Sequence, residues 1–328
     1  MTTPSTSLPS IAAASPAGLV QLGRQLSEAG YQFTTPTPAT HRLVNGRPSN
    51  QRARSMRDVF GWNRPFEPSV LPPEIFETAR VAGACAPLGT GLWQALVRFS
   101  SLNDLLFAHS PFPTSSRDAV FFGPDSYRFV RAVEQYALSA RRIVDVGCGS
   151  GVGGIALASR GIGVAPVVLT DINPDALCLA GVNAQLASIE AELVQGDVLA
   201  QVSGCFDLVI ANPPYLRDDA QRVYRDGGGE YGEQLAVRIT REAIQRLSTM
   251  QGGRLLLYTG TAIVNGRDTF FSAVHATLSR SGVEHCYDEL DPDVFSEELE
   301  RPAYADVERI AAVLLRVHVT KDGRRACA

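Results

Sequence analysis

R-I-V-D-V-G-C-G-S-G, residues 142–151, is the stretch on which the fold turns. A short apolar run of strand character passes directly into glycines at 147, 149 and 151, then into an apolar segment that reads as a helix from about Val152. Strand, tight turn and helix in succession form the unit of a parallel α/β sheet. Glycines there let the backbone turn sharply and approach a ligand, with helix N–H groups facing it, a geometry that suits an adenosyl cofactor.

Downstream, further apolar runs alternate with helical periodicity: V-V-L-T-D-I (167–172), A-E-L-V-Q-G-D (191–197), F-D-L-V-I-A-N (206–212) and R-L-L-L-Y-T-G (254–260). The fold class is therefore α/β, a doubly wound, mostly parallel, Rossmann-like sheet. V-E-H-C-Y-D-E-L (283–290) and A-A-V-L-L-R-V-H-V (311–319) flank an acidic stretch and are expected to pair antiparallel at the sheet edge. The second strand ends at Asp171, where a carboxylate can accept from both ribose hydroxyls, and the third ends at Asp197, near the place of an adenine. Gly149, Gly151 and Gly154 also satisfy G-x-G-x-x-G, so on the loop alone a nicotinamide dinucleotide stands beside an adenosyl cofactor.

The fourth strand ends in Asn212-Pro213-Pro214-Tyr215, and this tetrapeptide selects the chemistry. Two consecutive prolines donate nothing to a sheet ladder and stiffen the strand end, which suggests function. A nitrogen conjugated to a ring or carbonyl is a poor nucleophile and needs help from geometry. The Asn212 side-chain oxygen and the Pro213 carbonyl are suited to accept its N–H groups, with Tyr215 stacked on the planar group. A dinucleotide enzyme leaves this motif unexplained.

D-V-G-C-G-S-G, Asp171, Asp197 and N-P-P-Y in this order resemble the class I S-adenosylmethionine-dependent methyltransferases with an N-P-P-Y signature, in particular the HemK-like and "methyltransferase small domain" group, over about residues 118–319. The resemblance implies a seven-stranded methyltransferase sheet and S-adenosyl-L-methionine as cofactor. It places Asp145, Gly147, Gly149 and Gly151 at the methionine part, Asp171 at the ribose and Asp197 with Val198 at the adenine, with Cys148 and Ile172 also bordering the cofactor. Asn212, Pro213, Pro214 and Tyr215 then hold the substrate nitrogen, with Asn212 also bordering the cofactor. F-F-G-P-D-S-Y-R-F (121–129) stands where relatives carry a segment closing over the cofactor, and R-D-G-G-G-E-Y-G-E (225–233) resembles a glycine pair beside the site, read as a lid or as a surface loop. The substrate classes implied are a protein glutamine, a nucleic-acid base or a small molecule. A nucleic-acid-binding protein with a vestigial site is the non-catalytic alternative.

Residues 1–15, rich in Ser, Thr, Pro and Ala, read as a disordered tail, 16–122 as a smaller N-terminal α+β accessory domain, and 123–328 as the methyltransferase domain. Within the accessory part the expected elements are helices over 16–29, 73–81 and 92–99, and strands at 105–109 and 119–122 joined across Pro111 and Pro113. Arg42, Arg47, Arg52, Arg54, Arg57 and Arg64, opposed only by Asp58, read as a solvated, mobile segment or as a nucleic-acid patch.

Net charge −4, with 45% hydrophobic and 20% charged residues, describes an ordinary folded protein and disfavours a surface coated in basic charge. The six cysteines are scattered without a C-x-x-C pair, which predicts reduced thiols, and neither they nor the five histidines show metal-ligand spacing. No signal peptide and no membrane-spanning run is evident, so the expected compartment is the cytoplasm.

Overall fold

The computed structural model describes residues 14–89, 91–163, 165–248 and 252–319. The chain opens with α1 (Pro16–Glu28), α2 (Pro38–Asn45), α3 (Met56–Phe60) and α4 (Pro73–Val81), followed by two antiparallel hairpins, β1 (Cys85–Gly89) with β2 (Leu92–Ala95) and β3 (Arg98–Leu102) with β4 (Leu105–His109). Next come α5 (Pro124–Tyr136), β5 (Ile143–Val146), α6 (Val152–Ser159), β6 (Val167–Asp171), α7 (Pro174–Leu186), β7 (Ala191–Gln195) and β8 (Leu208–Ala211). The chain then forms α8 (Gln234–Arg246), β9 (Arg254–Val264), β10 (Arg267–Asp268), α9 (Thr269–Ser281), β11 (Glu284–Asp291) and β12 (Arg309–His318).

The large sheet has the order β11-β12-β9-β8-β5-β6-β7, with the short β10 paired to β9. Strands β7, β6, β5, β8 and β9 are parallel, and β12 and β11 complete the sheet antiparallel, as their sequences suggest. Side chains alternate strictly between two cores. Ile143, Leu208, Ile210, Leu256 and Leu314 face the core containing α5, α6 and α7, whereas Val144, Val209, Leu255, Leu257 and Val313 face the core containing α8 and α9. Apolar burial on both faces is why these strands read as unbroken hydrophobic runs.

The N-terminal elements differ from expectation in two places. Residues 92–99 form strands rather than a helix, because an apolar run this short satisfies either period and here finds a partner at each edge: Trp93 exchanges backbone hydrogen bonds with Phe66, and β3 pairs with β4. Residues 119–122 form no strand. The Leu105–His109 strand is already paired on β3, and only Ser110 and Val120 bond across the proline-containing connection.

Of the expected disordered tail, residues 1–13 lie outside the described residues, while Ala14 is buried and the Ser15 hydroxyl caps α1. The arginine-rich segment is helical at α2 and α3, and its Arg64 is buried against Asp58 at 2.6 Å. That ion pair turns the expected solvated stretch into part of the fold. Leu19, Leu22, Leu26, Phe60, Phe66 and Phe99 pack with Ala176, Leu179 and Val182 of α7, so the N-terminal elements share their core with the large sheet's own helix.

Cys85, Cys148, Cys178 and Cys286 are free thiols, whereas Cys205 is disulfide-bonded, a correction that spacing alone does not reveal because pairing depends on which ends the fold brings together. Among the described residues no helix is long and apolar enough to cross a membrane.

Candidate functional site

The strand order reverses between β5 and β8: the chain runs outward through β6 and β7 on one side, then returns to β8 and β9 on the other. Loops leaving the C-terminal ends of two such strands diverge and leave a crevice, the usual ligand position in open α/β sheets. Val146 lies opposite Ala211, so Gly147 and Asn212 follow as neighbours on strands about 4.8 Å apart. Val146 also lies opposite Thr170, placing Asp171 one residue on at the same level, and Ala211 lies opposite Leu257, placing Tyr258 beside Asn212.

A cavity of about 630 Å³ opens over these strand ends. Its walls include Asp145, Gly147, Cys148, Gly149, Asp171, Ile172, Asp197, Val198 and all of Asn212–Tyr215. Of the residues expected at the site only Gly151 lies outside it. Its φ of +76° begins α6, and a Cβ there would stand 2.8 Å from Ile155 and 3.2 Å from Ala180, so it turns the chain and seats the helix on the sheet.

Two buried carboxylates shape the loop from below. Asp145 accepts the Gly154 N–H at 2.8 Å, capping α6 from its own strand. Asp171 accepts Gly149 N–H through one oxygen and Asn173 N–H through the other, each at 2.9 Å. Burial raises both acids, Asp145 to about 7, and outweighs the backbone N–H groups that favour the charged forms. Because folded Asp145 holds its proton more tightly than the unfolded chain does, native stability is expected to fall as pH rises from the ordinary carboxylate range, about 4, through about 7. Melting temperatures across this range should show a flatter profile in Asp145→Asn, and an unchanged profile would refute the cause. Burial also lifts the Cys148 thiol far above the usual range, which makes it an apolar wall rather than a nucleophile.

The tetrapeptide is held by residues that sequence reading passed over. Asp125, in the first turn of α5 and 5% exposed, accepts the Tyr215 hydroxyl and, at 2.9 Å, the Tyr258 hydroxyl, with Arg128 at 3.2 Å. Burial raises this acid, and the two hydroxyls and Arg128 work against the rise. A residue 90 positions away had no local signal beyond its place in the F-F-G-P-D-S-Y-R-F segment. Tyr215 is itself 7% exposed, its ring against Gly260 and its edge near Phe295 at 5.9 Å, so it forms part of the cavity floor rather than a free stacking arm.

Asn212 is half-buried, and its side chain bonds to no group among the described residues. Asp197 is exposed, and both its oxygens accept from Arg238 of α8, at 2.9 and 2.8 Å. Ile172 is 55% exposed, an apolar side chain at the rim. Asn183 of α7, fully buried, donates to Ser150 O at 2.9 Å and Ala108 O at 3.0 Å and accepts from Ala108 N at 2.7 Å.

Around the mouth stand Arg42 of α2, Phe112, Phe121, Arg222, Tyr224 and Glu298. The 225–233 segment is neither a free lid nor a simple surface loop. Leu216 and Asp226 pair as strand neighbours, and an added Cβ on Gly232 would lie 2.3 Å from the Tyr215 carbonyl oxygen.

These residues fit an adenosyl sulfonium cofactor. Added Cβ atoms at Gly147 and Gly149 would meet nothing within 4 Å, so the backbone faces open space, and the buried Ser150 hydroxyl finds no partner among the described residues. Asp145 and Asp171 form part of the cavity wall, and Ile172 and Val198 add apolar surface to it.

Comparison with known proteins agrees. The Methyltransferase small domain family matches residues 126–260. A release factor glutamine methyltransferase of Deinococcus radiodurans is 38% identical over 127 residues, covering 35% of this chain and 44% of that protein. Ribosomal RNA small subunit methyltransferase C of Chromohalobacter salexigens is 36% identical over 119 residues, 36% of this chain and 31% of that protein. The chain thus spans less than half the length of these curated relatives. Among solved structures, wild-type Trm5b from Pyrococcus abyssi aligns with a TM-score of 0.49 at 15% identity, covering 72% of this chain and 62% of that one. Residues 126–260 are thus similar to the methyltransferase small domain, and S-adenosylmethionine is the cofactor that the cavity fits.

Proposed function

We propose that this protein transfers a methyl group to a planar nitrogen of a macromolecule, an amide or an exocyclic amine, with Asn212, Pro213 and Tyr215 presenting that nitrogen. The observation that carries the reading is the unpartnered Asn212 amide, fixed at the end of β8 beside Gly147 and facing the cavity. The names of the two curated relatives divide between a protein glutamine and a ribosomal RNA, both macromolecules, which supports the substrate class.

The cofactor supplies an electrophilic methyl group on a cationic sulfur. Gly147, Gly149, Asp145 and Asp171 hold its methionine and ribose parts, while Ile172, Val198 and the strand end at Asp197 border its adenine. Asn212 Oδ1 and the Pro213 carbonyl would each accept one N–H, which holds the nitrogen so that its lone pair, normal to the plane of the group, points at the methyl carbon. Positioning of this kind contributes ~7–11 kcal/mol in favourable cases. Pro213 and Pro214 fix the carbonyl's direction, and Asp125 anchors Tyr215 so that the floor under the planar group does not yield. As the nitrogen gains positive charge its N–H becomes acidic, and the accepting oxygens guide that proton out to water. In this reading residues 16–122 are the accessory domain that meets the substrate and 123–328 the methyltransferase domain.

The test is a two-part assay. S-adenosylmethionine should raise the melting temperature, and NAD(P)H should not. Methyl-labelled cofactor incubated with extract from cells lacking the protein should then leave label in a macromolecular fraction, assigned by separate protease and nuclease digestion. Stabilisation by NAD(P)H alone would overturn the reading.

A further inference from the structure

We propose that the segment running from α2 through α3, residues 38–64, is the docking surface for single-stranded RNA, whose unpaired base enters the cavity across the aromatic rim of Phe121 and Tyr224. The inference rests on the methyl-transfer reading and names its substrate class. The segment lies outside the stretch that matches the methyltransferase family.

Charge is the first support. The segment holds six arginines and one carboxylate, Asp58. Asp58 is directed inward: it meets the buried Arg64 at 2.6 Å and accepts from Arg54 N and Ser55 Oγ. Arg52 pairs with Glu67 at 3.2 Å. Arg42, Arg47 and Arg54 are exposed, and none has a carboxylate partner among the described residues. Uncompensated guanidiniums repel one another, and a chain of phosphates is the complement that relieves them.

Position is the second. Pro38 and Arg42 form part of the cavity wall, and α2 is fixed there because buried His41 stacks on Phe112 at 4.0 Å and bonds to Trp62 O at 2.8 Å. A shallower hollow of about 470 Å³, bordered by Ser49, Arg52 and Arg54, continues along the same segment. At the rim the rings of Phe121 and Tyr224 are parallel to within 7°, their centroids 5.9 Å apart, and Tyr224 is tied at 2.6 Å to Thr114 O. Flat faces of this kind are where unstacked bases rest. Of the two glutamates in the cavity wall, Glu298 is paired with Arg225 and Arg301, which leaves Glu297 as the carboxylate there without a cation partner among the described residues. RNA is the occupant because unpaired bases are its ordinary condition in loops, whereas DNA must first be opened.

Fluorescence anisotropy with a labelled single-stranded RNA of about 15 nucleotides, measured over a salt series, tests this. Arg42→Glu/Arg47→Glu/Arg54→Glu should weaken binding ~10²-fold at low salt and flatten the log–log salt slope by about 2, since each lost phosphate contact removes about 0.7. Reversal of Arg24, Arg267 and Arg280, exposed on elements that do not line the cavity, changes net charge equally and should leave the slope unchanged. The cofactor-induced thermal shift should be that of the wild type in the control triple variant and in Arg47→Glu/Arg54→Glu, which leaves the cavity wall intact. Wild-type RNA binding by the first triple variant overturns the docking surface, as does tighter binding of a DNA strand of the same sequence or label that enters protein rather than RNA. Absence of any cofactor shift while RNA binding persists would instead sink the methyl-transfer reading, and with it the role given to docking.

Discussion

Asn212→Ala is expected to lower turnover by ~10²-fold or more while leaving S-adenosylmethionine affinity within a few-fold. The amide has no structural bond to lose among the described residues, and it sits at the end of a strand whose packing lies below it. Its removal therefore costs little stability and deletes the contact to the reacting nitrogen that we propose for it. Single-turnover rates and cofactor titration on the same preparation separate the two quantities. Full activity in the variant would refute the assignment, and a parallel loss of cofactor affinity would move Asn212 from substrate to cofactor.

Gly232→Ala is expected to cost a comparable ~10²-fold in turnover by a different route, displacement of the catalytic backbone. Gly232 has φ +95°, and its added Cβ would lie 2.3 Å from the carbonyl oxygen of Tyr215 and 2.5 Å from its carbonyl carbon. Neither side of that contact is a flexible side chain, so the tetrapeptide must shift. Gly266→Ala supplies the comparison: φ is +68°, and nothing stands within 4 Å of its Cβ, so it carries backbone strain without the clash. It should lose ~1–2 kcal/mol of stability and keep its activity. Equal activities in the two variants would show that the 225–233 segment does not hold the tetrapeptide in place.

The central strands and their terminal residues were legible because the physics that builds them is local. A strand buried on both faces needs an unbroken apolar run, and the residues at or just past its end are free to carry chemistry, so Asp171, Asp197 and Asn212 stood out as candidates. What sequence could not supply were pairings decided at long range. Asp125 meets Tyr215 across 90 residues, and Arg238 meets Asp197 across 41, so the anchoring of the tyrosine and the engagement of that carboxylate emerge only in the fold. The helix expected at 92–99 failed for a related reason. The strands found there, β2 and β3, are four and five residues long, too short to fix a period, and their identity comes from β1, Phe66 and β4. Gly151 was placed at the ligand because loop glycines share one signature, whereas Ile155, Ala180 and Leu169 crowd it from the protein side.

Asn183 carries a consequence for how the N-terminal elements are joined to the rest of the chain. One buried side chain bonds the N–H and carbonyl of Ala108 on β4 and the glycine loop at Ser150, and the helix that bears it lends Ala176, Leu179 and Val182 to the N-terminal core. The N-terminal elements from α1 to β4 are therefore grafted, not merely tethered. Any exchange of these elements for others would have to rewrite the outer face of α7 at the same time.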